Sequence, residues 1–338
     1  MTGRTGTGIE RVEVTGSGAS GVHCKPLRLP RIVTGLWQMA DQERDGRLFD
    51  LDEAARDLAK YARDGFDAFD MADHYGSSEI VAGRAAALLD ERPVLMTKWV
   101  PEPGAMSAEL AREAVMRALD RLQSERVDLF QFHWWSYTHP GYIDAIAALS
   151  ELRDEGLIGH LGLTNFDTAH LRLLVRHGFD IATNQVCFSL LDRRAAGEMS
   201  DFCLESGVRV LAFGTLAGGY LSERWLGRAD EEPSDWSKMK YRRFIEAAGG
   251  WEPFQTLLRE LDAVARRHGV SIANVASRWV LDHEAVASVI VGARLGENEH
   301  RSDNRRILEL RLDEEDRERI DHALAAMQAI PGDCGDEY

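Results

Sequence analysis

The chain has 338 residues, 44% of them apolar and 28% charged, enough apolar material to build a core without disulfides or metal. Its net charge of −16 argues against nucleic acid as a partner, because neutralising backbone phosphates needs clustered Lys and Arg. A small anionic cofactor needs only a local basic pocket and stays open. No apolar run approaches the ~20 residues of a membrane span.

Residues 1–22 are rich in Gly, Thr and Ser and contain no apolar core of a secretion signal, so they read as a flexible leader. Four cysteines, Cys24, Cys187, Cys203 and Cys334, show no C-x-x-C spacing. Cys187 and Cys203 lie in apolar contexts and read as buried thiols, which fits the cytoplasm.

From residue 31 onward a short apolar run alternates with a longer amphipathic stretch. The runs are Arg31–Leu36, Ala68–Met71, Val94–Val100, Val127–His133, Ile158–Leu163, Ile181–Val186, Val208–Phe213 and Val286–Val291. Their near-continuous apolar character is that of strands buried on both faces. Helical periodicity predicts helices over Asp52–Arg63, Ser78–Leu89, a stretch capped by Ser107, Tyr142–Glu155, Thr168–Arg176, Arg193–Glu205, Pro253–His268, Ser271–Leu281 and Asp313–Ala326. Gly65, Gly156, Gly178, Gly207 and Gly269 stand where helices end on a left-handed residue. Eight strand–helix units imply a parallel sheet, and eight strands close a single-domain (β/α)₈ TIM barrel over residues 23–330, leaving 331–338 as a tail. The rival open sheet lacks a G-x-G-x-x-G after its first strand. Ile9–Val14 is expected as a strand of a hairpin beneath the barrel. Leu221–Trp251, after the seventh strand, is too long for an ordinary connection and reads as a binding loop or lid carrying Lys238, Lys240, Arg242 and Arg243.

Catalytic groups of a closed barrel gather at the C-terminal ends of its strands. Asp70 ends the second strand, Tyr75 lies in the loop after it, Lys98 is in the third and His133 ends the fourth. Singly each has a plain structural explanation: a turn cap, a loop residue, a snorkelling lysine, a core histidine. Together they form a proton-donating device. A phenol ionises near pH ~10, and a neighbouring ammonium lowers that value. Asp70 would keep Lys98 protonated, Tyr75 would donate to a developing alkoxide, and His133 would orient the carbonyl.

Asp70-x₄-Tyr75, Lys98 and His133 resemble the tetrad of the aldo-keto reductases in order and spacing. Gly35-Leu36-Trp37 looks like that family's first strand. The resemblance implies NADPH, with NADH as the alternative, lying across the barrel mouth and no metal. It implies Thr164, Asn165 and Gln185 at the nicotinamide carboxamide, with Asp70, Gly35 and Trp37 alongside. Phe188 takes the place of a tyrosine stacked on the nicotinamide ring. Leu216 and Gly218 belong to a diphosphate loop. Gly292, Arg294, His300 and Asn304 form the adenosine-phosphate segment, with Arg294 first for the 2′-phosphate and Arg301 a further alternative. Trp37, Trp99, Trp134 and Trp135, with His133, are expected to line a pocket for a carbonyl substrate. The implied activity is reduction of an aldehyde or ketone to an alcohol by a cytoplasmic monomer or homo-oligomer. The same residues would serve a sugar or alcohol dehydrogenase in reverse. Channel β-subunits of this family act as regulatory partners, a function for which the chain shows no docking segment.

Overall fold

The computed structural model describes residues 9–18, 25–39, 50–232, 236–295 and 300–335. Strand β1 (Arg11–Val14) pairs antiparallel with β2 (Leu27–Pro30), forming the expected hairpin. The barrel strands are β3 (Ile32–Gly35), β4 (Ala68–Asp70), β5 (Val94–Trp99), β6 (Val127–His133), β7 (Ile158–Thr164), β8 (Thr183–Cys187), β9 (Arg209–Phe213) and β10 (Val286–Gly292). All pair in parallel with their sequence neighbours, and β10 returns to β3 to close the barrel.

The helices form because apolar faces recur at helical spacing and their starts are capped. Asp50 caps α1 (Leu51–Arg63), Ser107 caps α3 (Ala108–Leu122) and Asp167 caps α5 (Thr168–Arg176), each accepting backbone N–H bonds of the first turn. Between them lie α2 (Ser78–Ala86) and α4 (Tyr142–Asp154). The stretch expected as one helix over Arg193–Glu205 is a 3₁₀ turn and then α6 (Glu198–Ser206), broken at Gly197 (φ −97°, ψ −123°). Gly207 stops α6 at φ 80°, where a Cβ would also meet the Gly16 carbonyl at 2.9 Å.

The long segment after β9 is not a plain loop. It carries a 3₁₀ turn and helix α7 (Trp236–Ala247), which buries Tyr241, Phe244 and Ile245. Helices α8 (Trp251–His268) and α9 (Ile272–Leu281) precede β10, and α10 (Arg301–Glu309) and α11 (Glu314–Ala325) follow it. Residues 9–18 and 331–335, read from the sequence as parts of a flexible leader and a tail, are tied to the barrel. Ser17 donates its backbone N–H to Ile181, and the Gly18 N–H reaches Asp180 at 2.9 Å. Asp333 accepts from the Thr168 backbone N–H at 2.8 Å, and Cys334 is buried.

The core has two layers because side chains alternate along each strand. Val33, Ala68, Met96, Leu129, Leu211 and Ala287 fill the barrel interior, floored by Val14, Leu27 and Leu29 of the hairpin. The opposite parity, including Phe69, Phe130 and Phe132, packs outward under the helices. Gly162 lacks a side chain because a Cβ would fall 2.5 Å from Thr183 Oγ1 and 3.0 Å from Gln131 Cγ. Leu129→Ala should open a cavity in this inner layer and cost about 2–5 kcal/mol, read as a lowered denaturation midpoint; an unchanged midpoint would contradict the inner packing.

Candidate active site

Interior positions turn polar toward the C-terminal end of the barrel. Asp70, Lys98, Gln131 and Gln185 stand one step above the apolar floor on four strands, all buried. Lys98 Nζ donates to Asp70 Oδ2 at 2.6 Å and to the Met71 carbonyl at 2.8 Å. Asp70 Oδ1 accepts from Gln131 Nε2 at 3.0 Å and from Gln185 Nε2 at 2.8 Å. The side chains of this ion pair are only 1% and 5% exposed. Burial pushes the Lys98 ammonium down from its ordinary range, and the Asp70 charge opposes that.

Above this layer lie the remaining members. Tyr75 is half-buried, and the Lys98 ammonium sits 5.0 Å from its ring centroid. Trp37 meets the Tyr75 ring edge-on at 4.9 Å. The Tyr75 loop is pinned to β5, since Asp73 donates its N–H to the Lys98 carbonyl at 3.0 Å. His133 is buried, lies 4.1 Å from the Trp135 ring and has the Asn165 amide nitrogen 3.4 Å from its Nε2. Burial above all, then the Lys98 charge, lowers the His133 pKa to about 3, so the imidazole is neutral near pH 7.

Thr164 and Asn165 continue this ring on β7. Asn165 adopts φ 58°, a left-handed conformation that Asn tolerates, and its N–H is held by the Gln185 carbonyl at 2.9 Å. Asn165 Oδ1 and Thr164 Oγ1 are buried without a hydrogen-bond partner. Gln185, expected at a carboxamide, instead spends its amide N–H₂ on Asp70 and on Gln131 Oε1, the latter at 2.9 Å.

Three expected aromatic residues fall on the wrong parity for the mouth. Trp134 is 2% exposed, with its indole N–H donating to the Ser136 and His139 carbonyls. Trp99 packs on Phe132 in the same outer layer, 5.4 Å between centroids. Phe188 is fully buried edge-on to Trp279 and His283 of the helical shell. In their places the structure offers Trp135, 44% exposed, and Phe213, two residues beyond the interior Leu211. Lys240 of α7 sits over the Phe213 ring at 5.1 Å. Strand alternation, counted from Leu211, was the signal that singles out Phe213.

In the turn that follows Phe213, Leu216 is near right-handed (φ −98°, ψ 3°) and Ala217 is left-handed at φ 47°, with Gly218 at φ 64°. The Ala217 N–H donates to the Gly214 carbonyl at 2.8 Å and the Gly219 N–H to the Leu216 carbonyl at 2.9 Å, closing a tight turn beyond β9. Gly35 and Gly292 face each other across β3 and β10, where a Cβ on Gly35 would meet Ile290 at 2.8 Å. Arg294 and His300 are exposed and Asn304 is half-buried; residues 296–299 between them lie outside the described residues. Arg301 pairs with Asp64 at 2.6 Å, which draws it toward α1.

The sequence matches the model of the Aldo/keto reductase family over residues 31–325, and the chain belongs to that family. It is 24% identical to the NADH-specific methylglyoxal reductase of Escherichia coli over 79% of this chain and 86% of that one. A glycerol dehydrogenase of Gluconobacter oxydans shares the fold with a TM-score of 0.78 at 23% identity, over 95% of this chain and 97% of the other. An aldo/keto reductase from Klebsiella pneumoniae, in complex with NADP and acetate, superposes with a TM-score of 0.67 at 24% identity, over 87% and 91% of the two chains. The protein is accordingly an oxidoreductase of a family that uses nicotinamide cofactors. Among the described residues no helix is long and apolar enough to cross a membrane, and no His, Cys, Asp and Glu cluster could hold a metal.

The depressed His133 pKa has a consequence for acid stability. An unfolded histidine titrates near 6.5, so between about 6.5 and 3 the unfolded chain binds the extra proton. The stability tied to the neutral imidazole is complete above that window and is lost as pH falls through it, by at most about 1.4 kcal/mol per pH unit. Unfolding free energy measured from pH 7 to 4 should fall less steeply in His133→Gln than in the parent; equal slopes would contradict the buried neutral state.

Proposed function

We propose that the protein is an NADPH-dependent carbonyl reductase in which Tyr75 donates the proton to the substrate oxygen. The observation that carries this reading is the Lys98 ammonium, buried 2.6 Å from Asp70 and 5.0 Å from the Tyr75 ring. A bound nicotinamide supplies the hydride. The chain's own groups do the rest. Lys98, held charged by Asp70, favours ionisation of the Tyr75 phenol. The Tyr75 proton passes to the carbonyl oxygen as negative charge gathers there, while neutral His133 orients that oxygen by a hydrogen bond. A positioned acid contributes about 10²–10⁴ in rate, or roughly 3–5 kcal/mol of barrier.

The residues present fit the cofactor. The partnerless Asn165 Oδ1 and Thr164 Oγ1 suit the N–H₂ of a carboxamide. Phe213 presents a ring to the mouth for stacking, the tight Leu216–Gly218 turn lies in the segment expected at a diphosphate, and Arg294 suits a 2′-phosphate. Trp37, Tyr75 and Trp135 frame the opening with aromatic surface, which favours a small flat carbonyl compound such as the methylglyoxal reduced by the Escherichia coli relative. Cys203 and Cys334 are buried and in no disulfide among the described residues, which supports a reducing compartment such as the cytoplasm.

Tyr75→Phe should cut turnover of methylglyoxal by at least about 10² while NADPH binding, read by cofactor fluorescence, stays as in the parent; normal turnover would reject Tyr75 as the acid. Arg294→Ala should weaken NADPH by about tenfold more than NADH in the same titration, the loss of one charge-assisted phosphate contact. Equal weakening would remove Arg294 from the 2′-phosphate.

A further inference from the structure

We propose that Glu79 is a positioning residue that sets the separation of Tyr75 and Lys98, acting with Arg121 through the chain neighbour of each. This rests on the reading of Tyr75 as the proton donor. Glu79 lies in the first turn of α2 with its side chain 1% exposed. One carboxylate oxygen, Oε1, accepts from Thr97 Oγ1 at 2.5 Å, and Thr97 immediately precedes Lys98 on β5. The other, Oε2, lies 2.9 Å from Arg121 Nε of α3. That contact is an ion pair, and a terminal nitrogen of Arg121 donates to the carbonyl of Gly76, which immediately follows Tyr75. One carboxylate thus joins the backbone beside the ammonium to the backbone beside the phenol.

Strand alternation makes this possible. Lys98 points into the barrel, so Thr97 points outward, toward the helix that carries Glu79. Gly76, at φ 54°, turns the Tyr75 loop back so that its carbonyl meets Arg121. A packing role alone does not need this chemistry. Burial pushes the Glu79 carboxyl up, while the Thr97 bond and the Arg121 charge pull it back. Burying a paired charge gives little or no net stability compared with an apolar side chain of the same shape. What the pair adds is geometry: two restraints converging on one small rigid group.

The sensitivity of rate to such restraint is steep, since a displacement of ~1 Å can cost about a hundredfold. In Glu79→Gln, which keeps an acceptor for Thr97 and loses the charge facing Arg121, kcat for methylglyoxal should fall roughly ten- to a hundredfold. NADPH affinity should stay within about twofold, because neither residue reaches the cofactor groove. The basic limb of the kcat–pH profile should also move, because Tyr75 sits at a new distance from the ammonium. Glu79→Asp, which restores the charge on a shorter arm, should recover part of both. Arg121 is a quarter exposed, so Arg121→Met and Arg121→Lys carry the same test should Glu79→Gln fail to fold, with Lys partly rescuing Met. A folded variant with parental kcat and parental pH profile, or a loss confined to the melting temperature, would overturn the positioning role. Tyr75→Phe, assayed alongside, separates the two ideas. If it is inactive while the Arg121 variants are normal, only the positioning role fails; if it is active, the acid assignment fails and the role with it.

Discussion

The site depends on one buried ion pair. Removing an ammonium and a carboxylate from water costs several kcal/mol each, and their attraction offsets this only where the remaining donors and acceptors are matched. Asp70 meets that condition by accepting from Lys98, Gln131 and Gln185, and Lys98 by donating also to Met71. The four side chains come from β4, β5, β6 and β8, so no local segment can make the arrangement. A closed barrel can, because its strand ends deliver side chains from several directions to one axis.

The same alternation that builds this layer sorts the rest of the mouth. Counting by twos from the interior residues Met96, Leu129 and Leu211 leads to Lys98, Gln131, His133 and Phe213. Counting by odd steps leads to Thr97, Trp99, Phe132 and Trp134, which face the helices. The outer set has its own use. Thr97 connects the site to Glu79 and Arg121, and Trp134 and Phe132 stack on each other at 5.5 Å to back the strand that carries His133. The chemistry faces inward and its support faces outward on the same strands.

Segments outside the repeating units finish the opening. Helix α7 seats Tyr241 so closely on the turn after β9 that a Cβ on Gly214 would fall 2.7 Å from the Tyr241 hydroxyl, and this brings Lys240 over Phe213. On the opposite side the C-terminal segment caps α5 through Asp333 and lays Gly335 against the Asn165 carbonyl, where a Cβ would fall at 2.2 Å. Asn165 is therefore held from three sides, by Gln185, His133 and the chain end, in a conformation that a longer or branched residue would resist.

Sequence alone determined the barrel, because eight apolar runs each needed two buried faces and the amphipathic stretches between and after them each needed one. It also singled out Asp70, Tyr75, Lys98 and His133 as candidates, because their chemical types complement one another. What it did not determine was direction. Apolar runs buried on both faces look alike at odd and even positions, so nothing in the local pattern says whether Trp99, Trp134 or Phe188 looks into the barrel or out of it. Nor does periodicity reveal that Gln185 answers to Asp70, or that a carboxylate on α2 reaches β5 and α3 at once. Those choices belong to closure of the sheet, which fixes the register of every strand against its neighbours and with it the face each side chain must take.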